Sequence, residues 1–359
     1  MHICSVVSAR PNFIKLAAIC RAIDRRPEAA IRHTIIHTGQ HYDPLLSDIF
    51  FTQLTIPTPT INLEIGGLSR VDMIAKTHDA LLTVFSSLKP DWVFVYGDVN
   101  GAVGAAGAAH ECSIPIAHIE AGLRSFDQEM PEELNRIAID GMARLLFCTE
   151  RSAVENVIRE QRSGTPVLVG NTMADTLLST LPFIRSRTPS FSPHQPFVLS
   201  TLHRPSNVDH EEPLGHALRL LTRVNEHCRV YIAAHPRLMR SLASSNALMA
   251  LASECQIIEP LGYLEFLSAL DRCEFILTDS GGIQEEAVVL HKRCFTLRRN
   301  TERPVTVESG SNVLVDPSRR EDCESVMQYV TSRTPAHIEV PKEWDGKTGD
   351  RIIDYICRL

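Results

Sequence analysis

No Cys-x-x-Cys pair occurs among the ten cysteines of this 359-residue chain, so the simplest zinc and redox frameworks are missing. The thiols are scattered, and Cys4, Cys148 and Cys294 sit inside apolar runs, where they read as reduced core residues. There is no excess of positive charge: 36 Lys and Arg against 43 Asp and Glu leave a formal net charge of −7. That gives no electrostatic footprint for nucleic acid or an anionic membrane, and no such partner is expected. Any anionic ligand must be held by locally placed Arg, Lys, His and helix N-termini. No apolar run approaches the ~20 residues that span a bilayer. The opening MHICSVVSARPNF lacks a basic leader followed by an apolar core and a cleavage site, so no export signal is expected and the cytoplasm is the expected location. Internal repeats, heptads and low-complexity tracts are absent too.

What is present is the composition of a globular protein, 44% hydrophobic and 22% charged. The length exceeds one domain of ~100–200 residues and predicts two. Short β-branched runs alternate with helical stretches, which predicts an α/β fold with parallel sheets. In the first half, Ile3–Val7, Thr34–His37, Trp92–Tyr96, Ile114–Ile119 and Leu145–Thr149 read as strands. Ile14–Arg25, Val71–Ser87 and Glu133–Arg144 read as helices between them. A second strand series runs through Phe197–Ser200, Val230–Ala233, Gln256–Ile258, Phe275–Thr278 and Cys294–Leu297.

The Pro- and Ser-rich stretch IRSRTPSFSPHQP, Ile184 to Pro196, reads as a linker. It sets a first domain over 1–183 and a second over 184–347, with a helical end, 348–359, returning to the first. Two doubly wound domains facing each other would place a ligand cleft at the C-terminal ends of their strands.

Several motifs fall at those ends. ARPNFIK follows the first strand, and Arg10 and Lys15 together with a helix N-terminus would attract a diphosphate. A solvated Arg beside a helix-opening Pro is the commoner meaning of such a fragment alone. In VFVYGDVN, Asp98 either faces the cleft or caps the next helix, with Asn100 competing for the cap. HIEAGLRSFDQEMPEELNR is the densest: Glu120 ends a strand, and Glu132 and Glu133 open a helix on different faces. A dipole complement accounts for Glu133 but not for Glu120.

The second half opens with STLHRPSN, in which His203 is suited to neutralising a departing phosphate, and AAHPRL repeats the arrangement with His235. In LTDSGGIQEEAVVL, Ser280, Gly281 and Gly282 let backbone N–H groups approach phosphate oxygens at a helix start. A carboxylate one turn on can accept two ribose hydroxyls. Tyr263 and Phe266 offer aromatic faces, and TERP supplies Glu302 and Arg303.

In this order the segments ARPNFIK, TGQHYD (Thr38–Asp43), YGDVN, HIEAGLRS, MPEELNR, VGNTMADT, LHRPSN, HPR, EPLGYLEF, DSGGIQEEA and NTERP resemble the non-hydrolysing UDP-N-acetylglucosamine 2-epimerases through nearly the whole chain. The resemblance implies two Rossmann-like domains of the glycosyltransferase-B type, their parallel sheets facing across a cleft. It also implies a homodimer with no metal and no cofactor. By matching motif, Asp98, Glu120, Glu132 and His203 fall on the family's catalytic positions. Arg10, Lys15, His235, Ser280, Gly281, Gly282 and Glu286 fall on its UDP-binding positions. Phe266 matches the residue beside uracil, and Arg136 and Arg303 match basic residues of the cleft.

Ser8 and Ala18 stand where Gly and Pro are usual, Val305 where an acid is common, and Arg293 where Pro is usual; none of these removes a catalytic group. The implied activity is reversible C2 epimerisation of UDP-N-acetylglucosamine, feeding cell-surface polysaccharide synthesis. Its rivals are a UDP-2,3-diacetamido-uronic acid epimerase, a hydrolysing epimerase, a retaining glycosyltransferase and an inert nucleotide-sugar sensor.

Some bacterial members carry a regulatory sugar-nucleotide site contacted by an Arg-Gln pair. The matching stretch here is Ser69-Arg70-Val71, and Val71 has no donor or acceptor to replace the amide, although Gln40 and His41 remain from the TGQH segment. Pure UDP-N-acetylmannosamine is therefore expected to be consumed at once. A lag abolished by a trace of UDP-N-acetylglucosamine would refute this.

Overall fold

The computed structural model describes residues 1–39, 51, 53–191, 193, 196–332 and 334–359. Gln40, His41 and the remainder of TGQHYD after Gly39 lie outside them. The chain divides into two compact units, Met1–Ser179 with Pro341–Leu359, and Thr180–Val340.

The first unit is built on the strands β1 (His2–Val7), β2 (Arg32–His37), β3 (Ile61–Asn62), β4 (Trp92–Tyr96), β5 (Ile116–Ala121), β6 (Leu145–Cys148) and β7 (Thr165–Leu168). They lie in the order β3-β2-β1-β4-β5-β6-β7, every pairing parallel. The second unit holds β8 (Phe197–Thr201), β9 (Arg229–Ala233), β10 (Gln256–Ile258), β11 (Phe275–Thr278), β12 (Arg293–Thr296) and β13 (Asn312–Leu314), in the parallel order β10-β9-β8-β11-β12-β13. Both units are Rossmann-like. Helices cover both faces of such sheets, so central strands read as unbroken apolar runs: every residue of WVFVY in β4 is buried. Three of the four edge strands give no such signal. β3, β7 and β13 are short and partly exposed, and their sequences IN, TPVL and NVL do not announce strands.

In the first unit the helix Asn100–Glu111 can lie against the helix Arg70–Leu88 because of its glycines: a Cβ on Gly104 would stand 2.6 Å from the Ile74 carbonyl. The helix Thr348–Cys357 packs on the helix Arg10–Asp24. Gly349 permits the contact, since a Cβ there would be 2.5 Å from the Ala18 carbonyl. Arg25 and Arg26 fix it by ion pairs to Asp350, and Arg26 also holds Asp354 at 2.7 Å. Ile184, read above as the start of a linker, instead lies inside the helix Thr172–Arg185. Its side chain is fully buried, and burial outweighs the Pro- and Ser-rich pattern that follows.

Candidate active site

In a doubly wound sheet, ligands sit outside the carboxyl ends of the strands where the winding reverses. In the first unit that point lies between β1 and β4. Asn12 shapes the exit from β1. Its Oδ1 accepts from the N–H groups of Ser8 and Ala9, each at 3.1 Å, and its Nδ2 donates to the Tyr96 carbonyl at the end of β4, 2.9 Å away. Ala9, at the cap of the helix Arg10–Asp24, has no side-chain acceptor, so Asn12 supplies the reciprocal half of a capping box. Arg10 is exposed at this helix start.

Lys15, one turn on, is buried. Its Nζ lies 2.6 Å from Glu120 Oε2, with the two side chains 5% and 3% exposed. Glu120 sits where the pairing of β5 with β6 shifts between Ile119 and Ala121, and its φ is +73°. A bulge re-aims a side chain. A non-glycine residue in this left-handed region costs about 1–3 kcal/mol and persists where its surroundings over-determine it. Gly97 leaves room for the pair: a Cβ on it would stand 2.8 Å from Lys15 Nζ and 3.7 Å from Glu120 Oε1.

Asp98 follows. Its Oδ2 accepts from Arg136 Nε at 3.0 Å and Nη2 at 2.8 Å, and its carbonyl accepts from Asn135 at 2.8 Å. Arg136 also pairs with Glu133. Glu133 stands in the first turn of its helix, where an acid complements the dipole, but it does more: it is 1% exposed and accepts from the Ser125 N–H, the Ser125 hydroxyl and the Phe126 N–H at 2.9–3.1 Å. Glu132, on the neighbouring face of the helix Pro131–Met142, is half-buried. Arg70 donates to Asn135 Oδ1 at 2.7 Å, while Val71 is 71% exposed.

Behind β5, His118 is fully buried between two acceptors, Asp140 Oδ1 at 2.7 Å and the Gly97 carbonyl at 2.9 Å. Asp140 also meets Arg124 Nη2 at 2.7 Å and the Gly122 N–H at 3.2 Å. Burial alone would raise the Asp140 carboxyl, but the His118 hydrogen bond and the charges of His118 and Arg124 hold it below the usual range.

The second sheet reverses between β8 and β11. There the buried Asp279 accepts from the N–H groups of His203 and Arg204, from Asn207, and from His203 Nδ1 at 3.0 Å. Burial would raise Asp279; the His203 bond and charge and the two backbone donors keep it lowered. Since Asp279 accepts, His203 Nδ1 carries a proton. His235, its ring 5.3 Å from that of His203, has the opposite pattern: its Nδ1 accepts from the Arg237 N–H and caps the helix Pro236–Ala243.

Ser280 is the cap residue of the helix Gly281–Val289, with Gly281 and Gly282 in its first turn. A Cβ on Gly281 would stand 2.7 Å from both Arg303 Nη1 and Glu302 Oε1. Arg303 is buried against Glu302 and, at 3.1 Å, Glu285. Gln284 ties this helix to the TERP loop and β13, accepting from Thr301 at 2.7 Å and Asn312 at 3.0 Å. Phe266 is half-buried on the helix Tyr263–Arg272. Burial pushes Glu286 up to about 8; Tyr263 opposes this by a hydrogen bond and Glu285 adds to it. Among the described residues, no group of three or more His, Cys, Asp or Glu is placed to hold a metal ion. None of their helices is long and apolar enough to cross a membrane.

A family model described as UDP-N-acetylglucosamine 2-epimerase matches residues 21–357. The chain belongs to this family. The UDP-N-acetylglucosamine 2-epimerase of Methanocaldococcus jannaschii is 37% identical over 369 residues, with 98% of each chain covered. The UDP-2,3-diacetamido-2,3-dideoxy-D-glucuronate 2-epimerase of Pseudomonas aeruginosa is 36% identical over 370 residues, with 100% of each covered. The crystal structure of the M. jannaschii enzyme in complex with UDP-GlcNAc and UDP matches at a TM-score of 0.89 and 37% identity, over 100% of both chains.

The structure thus brings Asp98, Glu120, Lys15 and Arg136 together in the first unit, and His203 and His235 in the second. Asp140, Asp279, Asn12 and Gln284 were not singled out by sequence reasoning. Only Asp279 carried a usable signal, as a strand-end acid directly before Ser-Gly-Gly.

The raised Glu286 carboxyl has a consequence for stability. Its folded value stands above the ordinary 4.5, so between those values the folded state binds more protons than the unfolded one. Its contribution to stability therefore declines as pH rises through that window. Denaturation of the wild type and of Glu286→Gln across that range should show the wild type losing ground to the variant as pH rises. A pH-independent difference would contradict the assignment.

Proposed function

We propose that the protein interconverts UDP-N-acetylglucosamine and UDP-N-acetylmannosamine by eliminating and re-adding UDP. The carrying observation is that Asp98 and Glu120 stand at the carboxyl ends of the paired strands β4 and β5, next to the switch point of the first sheet, in a chain matched end to end by named 2-epimerases.

The C2 proton of the sugar is barely acidic, because C2 bears an acetamido group and has no carbonyl carbon beside it. The C1–O bond to UDP therefore breaks first, with oxocarbenium character at C1, and this acidifies C2–H. Loss of that proton to a carboxylate forms the C1=C2 double bond of 2-acetamidoglucal. A proton then reaches C2 from the opposite face, and UDP oxygen rebonds to C1. Proton traffic on two faces needs more than one acid/base group, which Asp98, Glu120 and Glu132 would supply. His203 would neutralise the departing diphosphate, with Asp279 fixing its ring.

Arg10, His235, Ser280, Gly281 and Gly282 are read as diphosphate contacts, Glu286 as the ribose acceptor, and Phe266 as the neighbour of uracil. Lys15, Arg136 and Arg303 support these groups through their ion pairs with Glu120, Asp98 and Glu302. The reading carries with it a cytoplasmic homodimer whose product serves cell-surface polysaccharide synthesis.

In deuterated water with UDP-N-acetylglucosamine alone, both the product and the returned substrate should acquire deuterium at C2. Free N-acetylmannosamine as the main product would place the enzyme in the hydrolysing class. The similarity to the P. aeruginosa enzyme supports a second reading, in which the substrate is a UDP-2,3-diacetamido-uronic acid. Assaying both sugars side by side decides it by the larger kcat/KM.

Asp98→Asn and Glu132→Gln should each abolish turnover while calorimetric UDP binding persists, because shape is kept and proton acceptance is lost. Near-normal turnover by Asp98→Asn would remove that residue from the mechanism.

A further inference from the structure

Asp140 touches the chain on both sides of Glu120 and does not touch Glu120 itself. Two residues before, it holds the His118 ring at 2.7 Å; two residues after, it accepts the Gly122 N–H at 3.2 Å; four residues after, it meets Arg124 Nη2 at 2.7 Å. Between these anchors lies the one-residue register shift of β5, with Glu120 at φ +73°. The outer end of the chain is fixed as well, since Arg124 makes two further bonds of 2.8 Å to Glu160. The inner end is fixed too, because His118 Nε2 bonds the carbonyl of Gly97 at 2.9 Å, which holds the ring from its other side.

A strained backbone conformation persists only if its neighbours allow no alternative. Relaxing Glu120 to an extended conformation would pull at least one of these anchors off Asp140.

We propose that Asp140 is a positioning residue whose three-point clamp holds the bulge at Glu120 and so aims the Glu120 carboxylate; this rests on reading Glu120 as catalytic in the epimerase reaction. Arg136 and Asp140 are four residues apart on the helix Pro131–Met142 and share a face. That helix therefore aligns Asp98 through one residue and Glu120 through the next turn.

The test compares Asp140→Asn, Glu120→Gln (whose amide oxygen still accepts from Lys15) and the double variant in the full-length protein. A misplacement of about 1 Å costs on the order of 100-fold in rate. Asp140→Asn should therefore lower kcat about 100-fold with KM and UDP affinity near wild type. Added to Glu120→Gln, it should lower the residual C2 deuterium exchange no further. Losses that multiply in the double variant would overturn the clamp, since Asp140 would then act elsewhere.

If Asp140→Asn does not fold, Arg124→Lys removes one anchor more gently. The same non-additivity with Glu120→Gln is expected on a loss of about tenfold. Amide exchange reads the clamp without substrate: protection of Gly122 should fall selectively in the variant. Unchanged protection overturns the clamp whatever the reaction. Wild-type protein inert toward both UDP-sugars, with that protection lost in the variant, would instead sink the epimerase reading.

Discussion

The ion pair between Lys15 and Glu120 is the contact around which the first unit is arranged. Both groups are removed from water, and deleting one would leave the other charge buried alone, at a cost of about 3–5 kcal/mol. The pair joins the helix after β1 to the bulge in β5, across the end of the intervening β4. It therefore requires these strands to be neighbours in that order and register. It requires glycine at position 97, where any side chain would displace the ammonium. It also requires Asn12 to hold the exit from β1 against the Tyr96 carbonyl, because a shift of that turn would carry Lys15 with it. The left-handed glutamate is the local strain that this arrangement sustains.

One helix then supplies the remaining order. From the helix Pro131–Met142, Asn135 and Arg136 reach the Asp98 carbonyl and carboxylate, Glu133 gathers the loop at Ser125 and Phe126, and Asp140 reaches His118, Gly122 and Arg124. The motif MPEELNR thus works as a scaffold through its buried Glu133, Asn135 and Arg136, while Glu132 stays half-buried. The second unit uses the same logic. A single buried acid, Asp279, collects the backbone of His203 and Arg204 and orients the His203 ring.

The central strands were legible because burial on both faces leaves unbroken apolar runs; Trp92–Tyr96 and Phe275–Thr278 were read at their observed limits, and so was one edge strand, Gln256–Ile258. The other edge strands were not, since half-exposed pairs such as Ile61–Asn62 carry no such run. Motif positions at strand ends were legible too, as polar residues interrupting apolar patterns. What stayed hidden was partnership. Lys15 read as a diphosphate contact because a cation at a helix start attracts anions, and nothing local announces a glutamate 105 positions later as its partner. Glu133 and Glu132 differ only by their faces of one helix, and the reading of Glu133 as a dipole complement gave no hint of its buried partners. Asp140 was invisible for the same reason: its three partners lie on another element.

These pairings bear on how an acidic chain would hold a diphosphate. In the first unit Lys15, Arg136 and Arg124 are each committed to a carboxylate, so that edge is close to charge balance. Arg10 stays exposed there. In the second unit, Arg303 is likewise balanced by Glu285 and Glu302. Beside Arg204, which stands next to His203 and close to Arg298, the second unit offers directional donors: the N–H groups opening the helix Gly281–Val289, and the rings of His203 and His235. For the proposed reaction this is the more useful arrangement. A group that must depart from C1 and return to it is served by fixed dipoles and one proton-bearing ring. A cluster of unpaired arginines would hold the eliminated UDP too tightly to give it back.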